Sequence, residues 1–277
     1  MGSQAFVMNL KYLDRGGYGD LYVGNLSSNG MAVVVKFLRE YKDPSARQTF
    51  AREVQILSRR LRGLVPLLSW NTSVERPYYL MPFLAGGQLS KYAGQLTEQQ
   101  LHHVALELAH TLANFHGAVG THGDFKPANI LVSEDGKLNV ADPSGNGLGC
   151  SMFFSQGVRG TPAYWAPEVA TKGISRAGDV YSYGATLSEL LTGRPPQEGK
   201  LPEPVAEGYV GPPKILELIS CCCEADANSR PTMQQVVRIL EGASWPDILE
   251  ERKRGEGLLK LLGLIGGAAL LIRAFGK

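Results

Sequence analysis

The character of the chain changes near residue 90, and that change limits the folds open to it. Before it, Phe6–Leu13, Leu21–Asn25, Met31–Phe37 and Tyr78–Phe83 are short β-branched or aromatic runs between Gly, Asn or Ser turns, which predicts strands. One helix interrupts them. Between Ser45 and Leu61 the apolar residues Phe50, Val54, Leu57 and Leu61 recur at helical spacing, with Arg and Glu on the other faces. From Thr97 the pattern is helical, opening on a capping box of Thr97 and Gln100 and continuing with a stripe of Leu101, Val104, Leu108 and Leu112. The expected fold class is therefore α+β and bilobal: a small β-rich N-lobe, a larger α-helical C-lobe, and a ligand cleft between them.

A chain of 277 residues is long enough for two such lobes. Hydrophobic residues at 44% against charged residues at 19% fit a globular protein and argue against disorder. A net charge of +2 with a single short basic cluster, Arg252-Lys253-Arg254, gives no footprint for nucleic acid, and none is expected as a partner. Cys221, Cys222 and Cys223 are adjacent, with Cys150 alone, which suits neither a disulfide framework nor a zinc site. The three are read as apolar fillers of a helix in a reducing cytosol. No early apolar run suggests a signal peptide, and Phe6 stands where a myristoylation motif requires Ser or Thr.

Chemistry concentrates in three places. Leu13 to Tyr22 is a glycine-rich turn in which Gly16 and Gly19 would let backbone N–H groups approach phosphate oxygens, although such a turn alone is as often only a turn. Val33-Val34-Val35-Lys36 places a lysine at the end of a strand, and Glu53 follows 17 residues later on the predicted helix, so the two can pair. The densest segment is His122-Gly123-Asp124-Phe125-Lys126-Pro127-Ala128-Asn129-Ile130-Leu131-Val132, followed by Asn139-Val140-Ala141-Asp142.

These residues resemble the catalytic loop and magnesium-binding strand of the eukaryotic-like serine/threonine protein kinase family, and the resemblance covers roughly residues 10 to 245. It implies an enzyme that transfers the γ-phosphate of ATP to Ser or Thr hydroxyls of protein substrates. Its cofactors would be ATP and Mg2+, or Mn2+ in its place. Asp124 would orient the substrate hydroxyl and accept its proton, Lys126 would balance charge on the γ-phosphate, and Asn129 and Asp142 would be the metal ligands. Asp14, Gly16, Gly19, Leu21, Val34, Lys36 and Glu53 would surround the nucleotide. Met81 would back the adenine, with the Pro82 carbonyl and the Leu84 N–H as its hydrogen-bonding groups. His122 is read as a packed structural histidine. Thr161 would bond to Asp124 and Lys126, and with Lys126 it points to Ser/Thr rather than Tyr acceptors.

His-Gly-Asp also resembles the loop of small-molecule phosphotransferases. The later segments favour protein kinases: Gly160 to Glu168 looks like their peptide-docking segment, and Asp179 to Gly184 and Arg230-Pro231 match their later helices. Glu168 and Arg230 are expected to form a buried ion pair. Three positions depart from the family pattern. Asp142-Pro143-Ser144 replaces Asp-Phe-Gly, Asp14 replaces the first glycine of the phosphate loop, and Gly123 replaces an arginine that reads an activation-loop phosphate. The first two keep a nucleotide-binding scaffold without activity open as an alternative. The third implies that activity does not require phosphorylation at Ser151 or Ser155.

The expected domains are a lead-in at 1–9, a kinase domain at 10–245 divided near residue 84, a basic juxtamembrane linker at 246–256, and a hydrophobic segment at 257–276. Leu261 to Ile272 is an apolar run of twelve, which falls short of a span unless Lys260 and Arg273 snorkel. Those two lie about 220° apart around a helix, so they share no polar face as an interfacial helix needs. A tail anchor holding a cytosolic kinase domain at a membrane is the expectation.

Overall fold

The computed structural model describes residues 6–16, 19–143, 161–200 and 211–254. Strands β1 (Val7–Arg15), β2 (Gly19–Leu26), β3 (Ala32–Leu38), β4 (Ser69–Asn71) and β5 (Tyr78–Pro82) form an antiparallel sheet in the order β1-β2-β3-β5-β4. Directly opposed residues of an antiparallel pair share a face. Leu21 opposes Lys36, Lys36 opposes Tyr79, and Val34 opposes both Val23 and Met81, so all six lie on one face. The opposite face carries an aromatic ladder of Tyr12, Tyr22, Phe37 and Tyr78, with centroids 5.7–5.8 Å apart.

Helix α1 (Pro44–Ser58) covers the sheet and buries Phe50, Val54 and Leu57. Asp43 caps it by accepting from the N–H groups of Ser45 and Ala46, and Pro44 sits at the first turn, where its missing N–H costs nothing. The helix ends three residues before Leu61, at the turn where Arg60 takes φ 52°. Arg47 donates to the carbonyls of Tyr41, Thr72, Val74 and Glu75, tying the start of α1 to the β4–β5 turn. Strand β4, at three residues, is too short to give a sequence signal.

The second lobe is built on α2 (Glu98–Ala118), whose Thr97–Gln100 capping box forms as expected, and on α4 (Arg176–Thr192). Thirteen consecutive residues of α4, Gly178 to Leu190, are buried, so it is the central post of the lobe and shows no amphipathic stripe. Gly184 is where α5 (Pro213–Cys222) crosses it: a Cβ there would come within 2.6 Å of Cys223 Sγ and 2.9 Å of Cys222 Cβ. The cysteines are the buried fillers that the sequence suggests, and burial pushes the Cys222 and Cys223 thiols well up, away from the reactive thiolate. A small sheet of β6 (Gly87–Gln88), β7 (Ile130–Val132) and β8 (Leu138–Val140) is joined through Val140 to the backbone of Gly63 and Val65, and the one-turn α3 (Val169–Lys172) precedes α4. Helix α6 (Met233–Leu240) packs on α2.

The structure corrects the expected linker. Residues 245–254 form a further helix, α7. Ile248 is fully buried in the core, Arg238 pairs bidentately with Glu251 at 2.7 and 2.9 Å, and Arg252 donates to the carbonyls of Asn228 and Arg230. Arg252 also lies over the Trp245 ring at 5.9 Å, so one third of the apparent basic cluster is spent on packing. Among the described residues no helix is long and apolar enough to cross a membrane, and the segment 257–276 lies outside them.

Truncation after Trp245 should therefore destabilise the second lobe by about 2–4 kcal/mol, because it removes a buried isoleucine and the Arg252 contacts. Truncation after Arg254 should leave the lobe intact. Urea midpoints of the two shortened chains check this, and equal midpoints would return 246–254 to the status of a linker.

Candidate active site

Between the lobes, Lys36 is 2% exposed at the end of β3. Its ammonium donates to Glu53 Oε1 at 2.8 Å and to Asp142 Oδ1 at 2.5 Å. Burial pulls the Lys36 pKa down, but the carboxylates of Asp142 and Glu53 outweigh it and hold the ammonium well above its ordinary value. For Asp142 burial acts upward, Lys36 acts against it, and the carboxyl ends below the ordinary range, hence anionic. Burial lifts Glu53, against the pull of Lys36.

The sequence reading missed Tyr79. Its hydroxyl donates to Glu53 Oε1 at 2.7 Å, and its ring lies 5.5 Å below the Lys36 ammonium. Tyr79 alternates with Met81 along β5, but its place opposite Lys36 is set by strand register, which no local pattern in the sequence announces. Asp142 takes φ 52°, a region that non-glycine residues seldom occupy, and Pro143 restricts it further.

Asp124 stands on the loop between α2 and β7. Its Oδ2 accepts from Lys126 Nζ and from Asn129 Nδ2, both at 2.8 Å, and Lys126 Nζ reaches Thr161 Oγ1 at 2.5 Å. A 3-10 turn at Pro127–Asn129 folds Asn129 back, where its amide also donates to the Asp124 carbonyl at 2.8 Å. The loop hangs from α4. Asp179, 2% exposed, accepts from the backbone N–H groups of His122 at 2.7 Å and Gly123 at 2.8 Å, and from His116 at 2.9 Å. Gly123 takes φ 84°, which glycine adopts without the strain a side chain would bring.

His122 is completely buried, as expected of a structural residue. Its Nδ1 accepts from the Asp124 N–H at 3.3 Å, so Nε2 is the protonated nitrogen and donates to the Ala141 carbonyl at 3.2 Å. The ring thus bridges the Asp124 loop and the strand leading to Asp142. Glu168 and Arg230 form the expected pair, at 2.6 and 2.9 Å, and Arg230 spends its other three N–H donors on the carbonyls of Glu224, Ala177 and Ala225. Removing one member of such a pair typically costs about 3–5 kcal/mol.

Around the nucleotide positions the outcome differs by residue. Leu21, Val34 and Met81 share the face that carries Lys36. In the segment joining the lobes Pro82 has no N–H, that of Phe83 goes to the Ala32 carbonyl at 3.0 Å, and that of Leu84 takes no backbone partner among the described residues. Gly16 and Gly19 close the turn through a 2.9 Å bond from N–H to carbonyl. Asp14 opposes Leu21 across the β1–β2 pair and is exposed, its carboxylate accepting from the adjacent Arg15 N–H at 2.7 Å. Ser144, Ser151 and Ser155 lie outside the described residues.

Residues 8–239 match the model of the protein kinase domain family. The chain belongs to that family. It is 30% identical to the serine/threonine-protein kinase STY46 of Arabidopsis thaliana over 263 residues, 87% of this chain and 46% of the relative. It is 32% identical to the probable serine/threonine-protein kinase PkwA of Thermomonospora curvata over 256 residues, 84% of this chain and 34% of the relative. To the serine/threonine-protein kinase AfsK of Streptomyces coelicolor it is 29% identical over 239 residues, 79% and 29%. This kinase chain spans less than half the length of these curated relatives.

The buried imidazole makes stability depend on pH. Burial holds the His122 pKa below its ordinary value, against the charges of Asp179 and Asp124. The unfolded chain therefore takes up a proton as pH falls through about 6.5 that the folded protein refuses, and stability present above that pH is lost below it. Unfolding free energy should fall between pH 7.5 and 5.5, and His122→Asn should flatten that fall. Equal slopes in urea titrations of the two proteins would remove His122 as the cause.

Proposed function

We propose that this chain is an active kinase that transfers the γ-phosphate of ATP to Ser or Thr hydroxyls of protein substrates. The observation that carries the reading is the fixed Asp124 carboxylate, held by Lys126 and Asn129 with Lys126 tied to Thr161. Phosphoryl transfer needs placement and charge neutralisation rather than covalent help from the protein. Asp124 accepts the proton of the substrate hydroxyl as that oxygen bonds to the γ-phosphorus and the bond to the β–γ bridging oxygen breaks. Lys126 meets the charge on the transferred group, and Lys36, oriented by Glu53 and Tyr79, meets the remaining phosphates. Leu21, Val34 and Met81 enclose the adenine, while Leu84 N–H and Pro82 C=O fix its edge.

The donor set fits a hard divalent cation such as Mg2+ or Mn2+. Asn129 spends its amide nitrogen on Asp124, which keeps its carbonyl oxygen as a ligand, and Asp142 is anionic. Two protein oxygens suit magnesium, which keeps phosphates and waters as its other ligands. The bound ion neutralises phosphate charge. The pairing of Lys36 with Glu53 and Asp142, and of Asp124 with Asn129, supports catalysis over a scaffold role.

Asp124→Ala, Lys36→Met and Asp142→Ala should each slow transfer of labelled γ-phosphate to a protein acceptor about a thousandfold, a loss of about 4 kcal/mol in the transition state. Near-normal turnover in any of these purified variants would exclude the assignment.

We further propose that 257–276 anchors the cytosolic kinase domain to a membrane, on the strength of the apolar run from Leu261 and the flanking Lys260 and Arg273. The full chain should sediment with membranes and resist carbonate extraction, while the chain ending at Arg254 should not sediment. A full chain found in the soluble fraction would rule the anchor out.

A further inference from the structure

Arg39, three residues beyond Lys36, is the one side chain among the described residues that donates to the carbonyls of Gly16 and Gly19. Its Nη2 donates to the Gly16 carbonyl at 2.8 Å and the Gly19 carbonyl at 3.1 Å, and its Nε donates to Asp20 Oδ1 at 3.0 Å. Asp20 is held from its other oxygen by Arg76 at 2.8 Å. Arg76 is itself fixed by a bond to the Leu38 carbonyl at 3.2 Å and by stacking over Phe37 at 5.1 Å. The side chains of Arg39 and Asp20 are about three-quarters covered, with 24% and 21% exposed.

We propose that Arg39 is a positioning residue for the triphosphate, acting through the backbone of the glycine turn, an inference that rests on the nucleotide-binding reading above. A carbonyl oxygen pointing at a phosphate repels it, whereas backbone N–H groups attract it. Arg39 takes up the carbonyls at both ends of the turn and so fixes their negative ends toward a cation. The guanidinium suits this because its planar fork can serve two carbonyls and a carboxylate at once, which an ammonium cannot do with the same geometry.

A second observation links the clamp to Lys36. A Cβ on Gly19 would come within 2.8 Å of Lys36 Cγ and 2.7 Å of the Phe37 carbonyl, so the turn's end lies directly on the lysine stem. By holding Gly16 and Gly19, Arg39 fixes the turn against the residue that meets the phosphates on the other side. The clamp also stands where Asp14 replaces a glycine, on the strand leading into the same turn.

The discriminating measurement is calorimetric binding of Mg-ATP and of adenosine to the full chain and to Arg39→Met, which keeps the stem but removes every donor. The expected result is ATP affinity weakened about tenfold with adenosine affinity within about twofold of the parent. A role limited to general stability would weaken both ligands alike, and unchanged ATP affinity would equally overturn the inference. Parent protein that binds neither ligand would instead refute the nucleotide-binding reading itself. Should Arg39→Met fail to fold by thermal unfolding, Asp20→Asn decides. That change loosens the hold on Nε, is expected to weaken ATP about threefold and leave adenosine unchanged, and overturns the inference if ATP binds as tightly as to the parent.

Discussion

The buried Lys36 ammonium joins the two lobes chemically. One carboxylate it meets comes from α1 and the other from the strand end of the second lobe, and with Tyr79 below, the lysine is almost wholly covered. A buried charge is tolerated only when paired and hydrogen-bonded, so Glu53 and Asp142 are as much conditions for folding the cleft as parts of its chemistry. Arg47 at the start of α1 serves the same end, because its four carbonyl contacts hold the helix that delivers Glu53. The pairing also explains the unusual backbone at Asp142: a positive φ in front of a proline persists where a strong interaction over-determines it.

The loop bearing Asp124 hangs on Asp179, and it is tied to the strand bearing Asp142 through His122. Asp179 satisfies two consecutive backbone N–H groups of the loop, which a flexible loop could not keep in register by itself. His122 then accepts from Asp124 and donates to Ala141, next to Asp142. One neutral ring therefore sets the spacing between the proposed base and a proposed metal ligand. A charged imidazole would have two donors, and the Asp124 N–H would lose its acceptor.

Much of this was legible in the sequence wherever a residue type and a local period coincide. The strand pattern of the first lobe, the Thr97–Gln100 cap and the Lys36–Glu53 and Glu168–Arg230 pairs are local signals or motif positions, and all appear where expected. What stayed hidden depends on long-range placement. Tyr79 matters through strand register, Arg39 through a hairpin 20 residues earlier, and Asp179 through a loop 56 residues before it. Helix α7 was hidden for another reason: its Arg-Lys-Arg end suggests a solvated linker until Arg252 is seen folded onto the carbonyls of Asn228 and Arg230. The strands β4, β6, β7 and β8 are two or three residues each, below the length at which alternation can register.

Two of the departures from the family pattern act in the same direction. Gly123 supplies no arginine to read a phosphate, and it also takes φ 84° without cost at the point where Asp179 grips the loop. Pro143 replaces an aromatic side chain beside Asp142, yet Asp142 is already fixed by Lys36 and, through Ala141, by His122. In both places an interaction that could be switched from outside is absent, and a contact internal to the cleft holds the same backbone. The loop bearing Asp124 and the strand bearing Asp142 are thus ordered by buried partners, Asp179, His122 and Lys36, none of which needs a modification to acquire its charge or its hydrogen bonds. The third departure, Asp14, lies outside that buried set, on the exposed strand β1, where it opposes Leu21 and Leu21 in turn opposes Lys36.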